Sequence, residues 1–122
     1  MNLKNETLQE LYEHGLGQKD IRWVGCQEFC IDIDRFFQLA DREYDSGYGA
    51  PEVAVDLLIV GENWWLERHE YDGSEWWEFK QLPAMPSHYT TVNSVFAQEV
   101  GWETLSEIRV NSVLMEKLED EP

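Results

Sequence analysis

Apolar residues recur at helical spacing near the start of the chain, where Leu8, Leu11, Tyr12 and Leu16 fall on one face. The spacing predicts a short helix over residues 5–16, with Thr7 and Glu10 at capping-box separation and Gly15 and Gly17 closing it. The run DIRWVG at residues 20–25 reads as a short strand, and Cys26 to Phe29 as a turn leading into Cys30 and Ile31. Asp32 then stands where an N-cap is needed. Behind it Ile33, Phe36, Phe37, Ala40 and Tyr44 repeat at helical spacing, so a helix is expected to run to about Tyr44, with Arg35, Gln38, Asp41, Arg42 and Asp45 on its solvated face. Two glycines and a proline make residues 47–51 a loop.

From Val53 the pattern turns to β. Residues 55–60 are expected to form a buried strand, Gly61-Glu62-Asn63 a turn, Trp64 to Glu70 a strand and Glu75 to Gln81 another, which together would make an antiparallel meander. Pro83, Pro86 and the polar run around Ser87 mark a linker. Residues 91–100 fit either a strand or a helix, residues 102–118 a closing helix, and the last four residues should fray. The expected fold is α+β: a single domain over residues 1–122, with an antiparallel meander of three or more strands packed against two or three helices.

The charges choose a register for the central hairpin, WWLERHEYDGSEWWEFK at residues 64–80. A two-residue Asp72-Gly73 turn would set Glu70 opposite Glu75 and Glu67 opposite Glu78, two like-charge pairs. A three-residue loop, Tyr71-Asp72-Gly73 with Gly73 left-handed, avoids both: Glu70 faces Ser74, His69 faces Glu75, Arg68 faces and stacks on Trp76, and Trp65 faces Phe79. Each Trp-Trp doublet sends one indole to each side of the sheet. In this register Trp65, Trp77 and Phe79 share the core face. Trp64 and Trp76 lie on the other, among Arg68, Glu70, Glu78 and Lys80, as an aromatic platform ringed by carboxylates.

Composition changes the picture through charge. The 122 residues carry 25 acidic and 9 basic side chains, a formal −16. A domain this size spans roughly 35 Å, a length of duplex DNA holding roughly 20 phosphate charges. The acidity is also uneven: residues 41–78 hold 11 carboxylates against Arg42 and Arg68. Such a field opposes direct binding to nucleic acid or anionic lipid and favours a basic protein surface. With two cysteines, no basic-then-apolar leader and no apolar run near 20 residues, the chain is expected in the cytoplasm with reduced thiols and no membrane span.

The stretch from Tyr48 through Lys80, with its core DLLIVGENWWLERHEYDGSEWWEFK, resembles a group of small acidic proteins of bacteriophages and mobile elements, a group to which no activity is assigned. The resemblance covers roughly a quarter of the chain. It implies a setting inside a bacterial host cell, where small acidic phage proteins are often inhibitors of host defence, anti-CRISPR and anti-restriction proteins among them, several of which imitate DNA.

Chemistry-bearing patterns are weak. Cys26 and Cys30 with His69 and His88 lack the second ligand pair of a zinc finger, Asp32 and Asp34 are better used in a helix cap and first turn, and no phosphate loop or nucleophile motif is present. The expectation is a protein without catalytic residues, metal or cofactor. It binds a basic partner, expected to be a Cas nuclease or CRISPR complex, through Trp64, Glu67, Glu70, Asp72, Glu75, Trp76 and Glu78, with Asp41 and Asp45 beside them, and blocks DNA entry as an acidic DNA mimic. The alternatives are a non-enzymatic protein-interaction module and a glycan-binding module that stacks sugars on exposed tryptophans.

Overall fold

A computed structural model describes residues 1–47, 49–97 and 101–110. The chain divides into two compact units, Met1–Pro83 and Ala84–Pro122. The first is α+β: helix α1 (Leu3–Glu13), a single 3-10 turn (Gln18–Asp20), strands β1 (Trp23–Gly25) and β2 (Cys30–Ile31), helix α2 (Ile33–Ala40), and strands β3 (Leu58–Val60), β4 (Trp64–Tyr71) and β5 (Ser74–Gln81). The strands form one antiparallel sheet in the order β2-β1-β3-β4-β5, so the expected meander is its β3-β4-β5 half. In the second unit residues 84–97 adopt neither helix nor strand and residues 105–110 are helical, with Ile108 buried. Trp102 has φ +68 and is fully exposed, which places it before that helix; the expected continuation to Leu118 and the end of the 91–100 segment lie outside the described residues.

Local chemistry explains where the helices stop. Asn2 caps α1 by accepting from the Asn5 amide, at 3.0 Å. The helix closes in a Schellman turn: Leu16 N–H bonds to Leu11 O and Gly15 N–H to Tyr12 O, with Gly15 at φ +72. The expected cap residue Thr7 is instead inside the helix and fully buried, its hydroxyl donating to Leu3 O at 2.7 Å and accepting from Trp77 Nε1 at 2.9 Å. Asp32 caps α2 as expected, through the Arg35 amide, and Phe36, Phe37 and Ala40 are the buried stripe. Beyond Ala40 the chain leaves the helix, because residues 42–44 pair with the chain start: Tyr44 N–H bonds to Met1 O and Leu3 N–H to Arg42 O.

Both helices cover the same face of the sheet. Leu11, Phe36, Phe37 and Ala40 pack on Val24, Ile59, Trp64, Leu66 and Trp77, and four of these, Leu11, Val24, Ile59 and Leu66, are wholly removed from water. Alternation then assigns the even-numbered residues of β4 to this inner face and the odd-numbered ones to the outer face.

The hairpin takes the two-residue turn, contrary to the charge argument. Tyr71 pairs with Ser74, Glu70 with Glu75, Glu67 with Glu78 and Arg68 with Trp77, and the turn residues have φ +50 at Asp72 and +87 at Gly73, as an Asp-Gly type I′ turn requires. The faces change accordingly. Trp64 is buried in the core and Trp65 lies half-buried on the outer face, the reverse of the expectation, while Trp77 and Phe79 are inward and Trp76 outward as expected. Arg68 stacks on Trp77, its guanidinium carbon 4.8 Å from the ring centroid, and not on Trp76.

Thr7→Val keeps the shape of the side chain but leaves the Trp77 indole N–H without its acceptor in a dry site. We expect this variant to fold with stability reduced by about 1–3 kcal/mol, measured by urea denaturation against the unaltered chain.

Candidate functional site

The inner face of the hairpin holds a charged cluster where a small domain would ordinarily place aliphatic side chains. Arg68 is buried, and its Nη2 donates to Glu75 Oε1 at 2.9 Å and to the Tyr44 hydroxyl at 3.2 Å. Nη1 reaches Glu6 of α1 at 3.2 Å. Arg68 and Glu75 are diagonal neighbours across the ladder, a separation that long side chains span. The Tyr44 hydroxyl in turn donates to Glu6, lying 2.8 Å from Oε2. Arg68 Nε has no hydrogen-bond partner among the described residues.

Glu75 also holds the loop. Its carboxylate accepts from the Glu52 amide at 2.7 Å and the Val53 amide at 3.1 Å, and its own amide donates to Ser46 O. These partners remove the like-charge penalty that would have excluded this register. Glu75 turns inward to a guanidinium and two amides, while Glu70, opposite it, stays in water. Glu67 and Glu78 are similarly occupied on the outer face. Glu67 accepts from Trp65 Nε1 at 2.7 Å and lies 2.7 Å from His69 Nε2, and Glu78 accepts from Trp76 Nε1 at 2.9 Å. His69 therefore pairs with Glu67 rather than with Glu75, and its ring lies tilted 6.5 Å from that of Trp76.

The cluster tunes its own ionisation. Burial pushes the Tyr44 phenol up to about 12, helped by its hydrogen bond to the Glu6 carboxylate. Burial alone would lower the Arg68 guanidinium, but Tyr44, Glu6 and Glu75 outweigh it and the net direction is upward. On the outer face, hydrogen bonds from Trp65 and then His69 hold Glu67 below the usual carboxylate range.

The residues expected to meet a partner thus separate into three places. Trp64 and Glu75 are interior and cannot touch one, Trp64 because Leu66 and Trp64 share the core-facing set, Glu75 because it neutralises Arg68. The Trp64–Trp76 platform of the glycan-binding alternative is accordingly not formed. Glu67, Trp76 and Glu78 sit together on the outer face. Asp41, Asp45, Glu70 and Asp72 are exposed along one border, joined there by Glu43 and Glu52. That border is continuous: Asn2 Nδ2 holds Asp41 at 3.0 Å, Glu52 accepts from the Asp45 amide at 2.7 Å, and Ser46 is tied to the first turn of β5 beside Asp72. Among the described residues, the N-terminal ammonium reaches Glu43 at 3.1 Å, whereas Asp41, Asp45, Glu52, Glu70 and Asp72 make no salt bridge. Sequence reasoning missed Glu6 and gave Tyr44 no part in a site; neither carried a signal, because their partners lie far along the chain.

Among the described residues, no three His, Cys, Asp or Glu side chains converge as a metal site, Cys26 and Cys30 are free thiols, and no helix is long and apolar enough to cross a membrane. In comparisons with family models, curated proteins and solved structures, nothing matches this chain.

Because the folded state holds the Tyr44 proton up to about pH 12, while an unfolded tyrosine releases it near 10.0, Tyr44 contributes stability that is complete below pH 10 and lost as pH rises from about 10 to about 12. Urea midpoints across this window should fall more steeply for the unaltered chain than for Tyr44→Phe. Parallel curves would contradict the assignment.

Proposed function

We propose that the chain is a non-enzymatic inhibitor that docks its acidic border on the basic nucleic-acid-binding surface of a bacterial defence nuclease, with a Cas nuclease or CRISPR complex as the partner, and so occludes DNA. The observation that carries this reading is the separation of charge. The one arginine in the hairpin is spent inside the protein on Glu6 and Glu75, and among the described residues Asp41, Asp45, Glu52, Glu70 and Asp72 face water without a salt bridge, Glu43 beside them being held by the N-terminal ammonium. A row of fixed, uncompensated carboxylates attracts a basic groove at long range and speeds encounter. The bond from the Glu75 amide to Ser46 O and those from the Glu52 and Val53 amides to the Glu75 carboxylate hold that row in place, which lowers the entropy cost of presenting it.

Support for the nuclease as partner comes from this charge distribution and from the resemblance of residues 48–80 to acidic phage proteins. The outer face adds Trp76, 38% exposed beside Glu78, as an aromatic contact at the flank of the acidic border.

The test alters charge without touching the Arg68 cluster. Asp45→Asn, Glu70→Lys and Asp72→Asn together remove two exposed carboxylates and reverse a third, and asparagine retains an acceptor at 45 and suits the left-handed conformation at 72. Surface plasmon resonance against purified Cas nuclease complexes should show an association rate at least tenfold lower for this folded variant at low salt, a difference that shrinks as salt rises, and competition by target DNA. Binding that ignores salt, charge and DNA would exclude the mimicry.

A further inference from the structure

The sheet ends on one side in a long, regular strand that, among the described residues, pairs with β4 alone. β2, the other border strand, has only Cys30 and Ile31, whereas β5 runs from Ser74 to Gln81. In a two-residue hairpin the residues flanking the turn form a hydrogen-bonded pair, so Ser74, Trp76, Glu78 and Lys80 direct their backbone groups to β4, and Glu75, Trp77, Phe79 and Gln81 direct theirs outward. Two bonds fix this parity: Leu82 N–H, in phase with Lys80, bonds to Asn63 O next to β4, and Glu75 N–H points the other way to Ser46 O. Among the described residues, the outward backbone groups of Trp77, Phe79 and Gln81 have no hydrogen-bond partner. Such an edge is a template for another strand.

We propose that this edge is a homodimer interface, in which β5 of a second copy pairs antiparallel about a two-fold axis at Phe79.

The chemistry along β5 selects both the occupant and the register. With Phe79 opposite its own copy, Trp77 faces Gln81 of the second chain, and these outward-pointing residues form hydrogen-bonded pairs, each exchanging two N–H···O bonds. Side chains on the outer face then meet in complementary pairs. Glu78 lies opposite Lys80, Lys80 opposite Glu78, and Trp76, 38% exposed, opposite Leu82, 60% exposed. The ladder's ends coincide too, because Glu75 would face Pro83: the first has spent its N–H on Ser46 and the second has none to give. Shifting the axis to Glu78 or Lys80 would put like charges face to face, and shifting it to Trp77 would require Glu75 to bond where Ser46 already does. A lone lysine on an edge ordinarily discourages pairing; here the glutamate two residues earlier converts it into half of a symmetric ion pair. The antiparallel arrangement also sends the two acidic hairpin tips to opposite ends, roughly 45 Å apart at about 3.3 Å per residue, where their repulsion is largely screened.

The register makes charge exchange the decisive test. By sedimentation equilibrium on the full chain, the unaltered protein should be a dimer at high concentration, and added salt should tighten it, since two bodies of formal charge −16 repel. That is the opposite of the salt response expected for docking on a basic partner, so the two ideas fail separately. Glu78→Lys and Lys80→Glu alone each place like charges opposite one another and should weaken dimerisation at least tenfold. The double variant restores the pairing in reverse and should recover it. Gln81→Pro, which removes an outward N–H at an exposed position, should give a folded monomer by circular dichroism. A monomer at every concentration reached, or folded single variants that dimerise as well as the unaltered chain, would overturn the proposal.

Discussion

A guanidinium held out of water between two carboxylates is the constraint around which the first unit is arranged. Arg68 comes from β4, Glu75 from β5, Glu6 from α1, and Tyr44 from the segment after α2, so four parts of the chain meet at one charge. Ion pairs of this kind add little net stability relative to apolar residues of the same size, because each ion must first be desolvated. Losing one partner, however, leaves an uncompensated charge and costs about 3–5 kcal/mol. The cluster therefore acts as a condition on the fold: α1, the hairpin and the loop must be placed together or Arg68 is buried alone. Trp77 beneath the guanidinium and Thr7 beneath the Trp77 indole extend the same condition into the apolar core.

This arrangement also explains what the sequence could and could not disclose. The strands of the hairpin, the cap and buried stripe of α2, and the α+β class follow from patterns a few residues long, and each was legible. The register was not, because the objection to Glu70 opposite Glu75 assumed that both carboxylates stay in water. Glu75 is instead satisfied by Arg68 and by the amides of Glu52 and Val53, contacts that no local pattern encodes. One local signal did favour the observed register: Asp-Gly is the preferred two-residue hairpin turn, and Leu66, the aliphatic residue of β4, places the even-numbered positions inward and Trp64 with them. Strands β1 and β3 are three residues each, too short for alternation to declare itself, and their boundaries were set by pairing with one another.

The candidate site was legible as a region and misassigned in detail. The concentration of carboxylates between residues 41 and 78 marks the acidic border, and Asp41, Asp45, Glu70 and Asp72 do lie along it. Trp64 and Glu75 belong to the structure that holds the border in place. The two contacts proposed for the acidic border and for the open edge of β5 differ in kind, one long-range and electrostatic, the other short-range and dependent on backbone geometry.

The Glu75 carboxylate, fixed by Arg68, organises the loop that carries the exposed charge. Amide hydrogen exchange in the unaltered chain and in Glu75→Gln tests it most directly, since glutamine keeps the size of the side chain but removes the charge that Arg68 requires. The Glu52 and Val53 amides should be protected in the unaltered protein and exchange at least tenfold faster in the variant, while the amides that join β3 to β4 change much less. Unchanged protection at Glu52 and Val53 in a folded variant would contradict it.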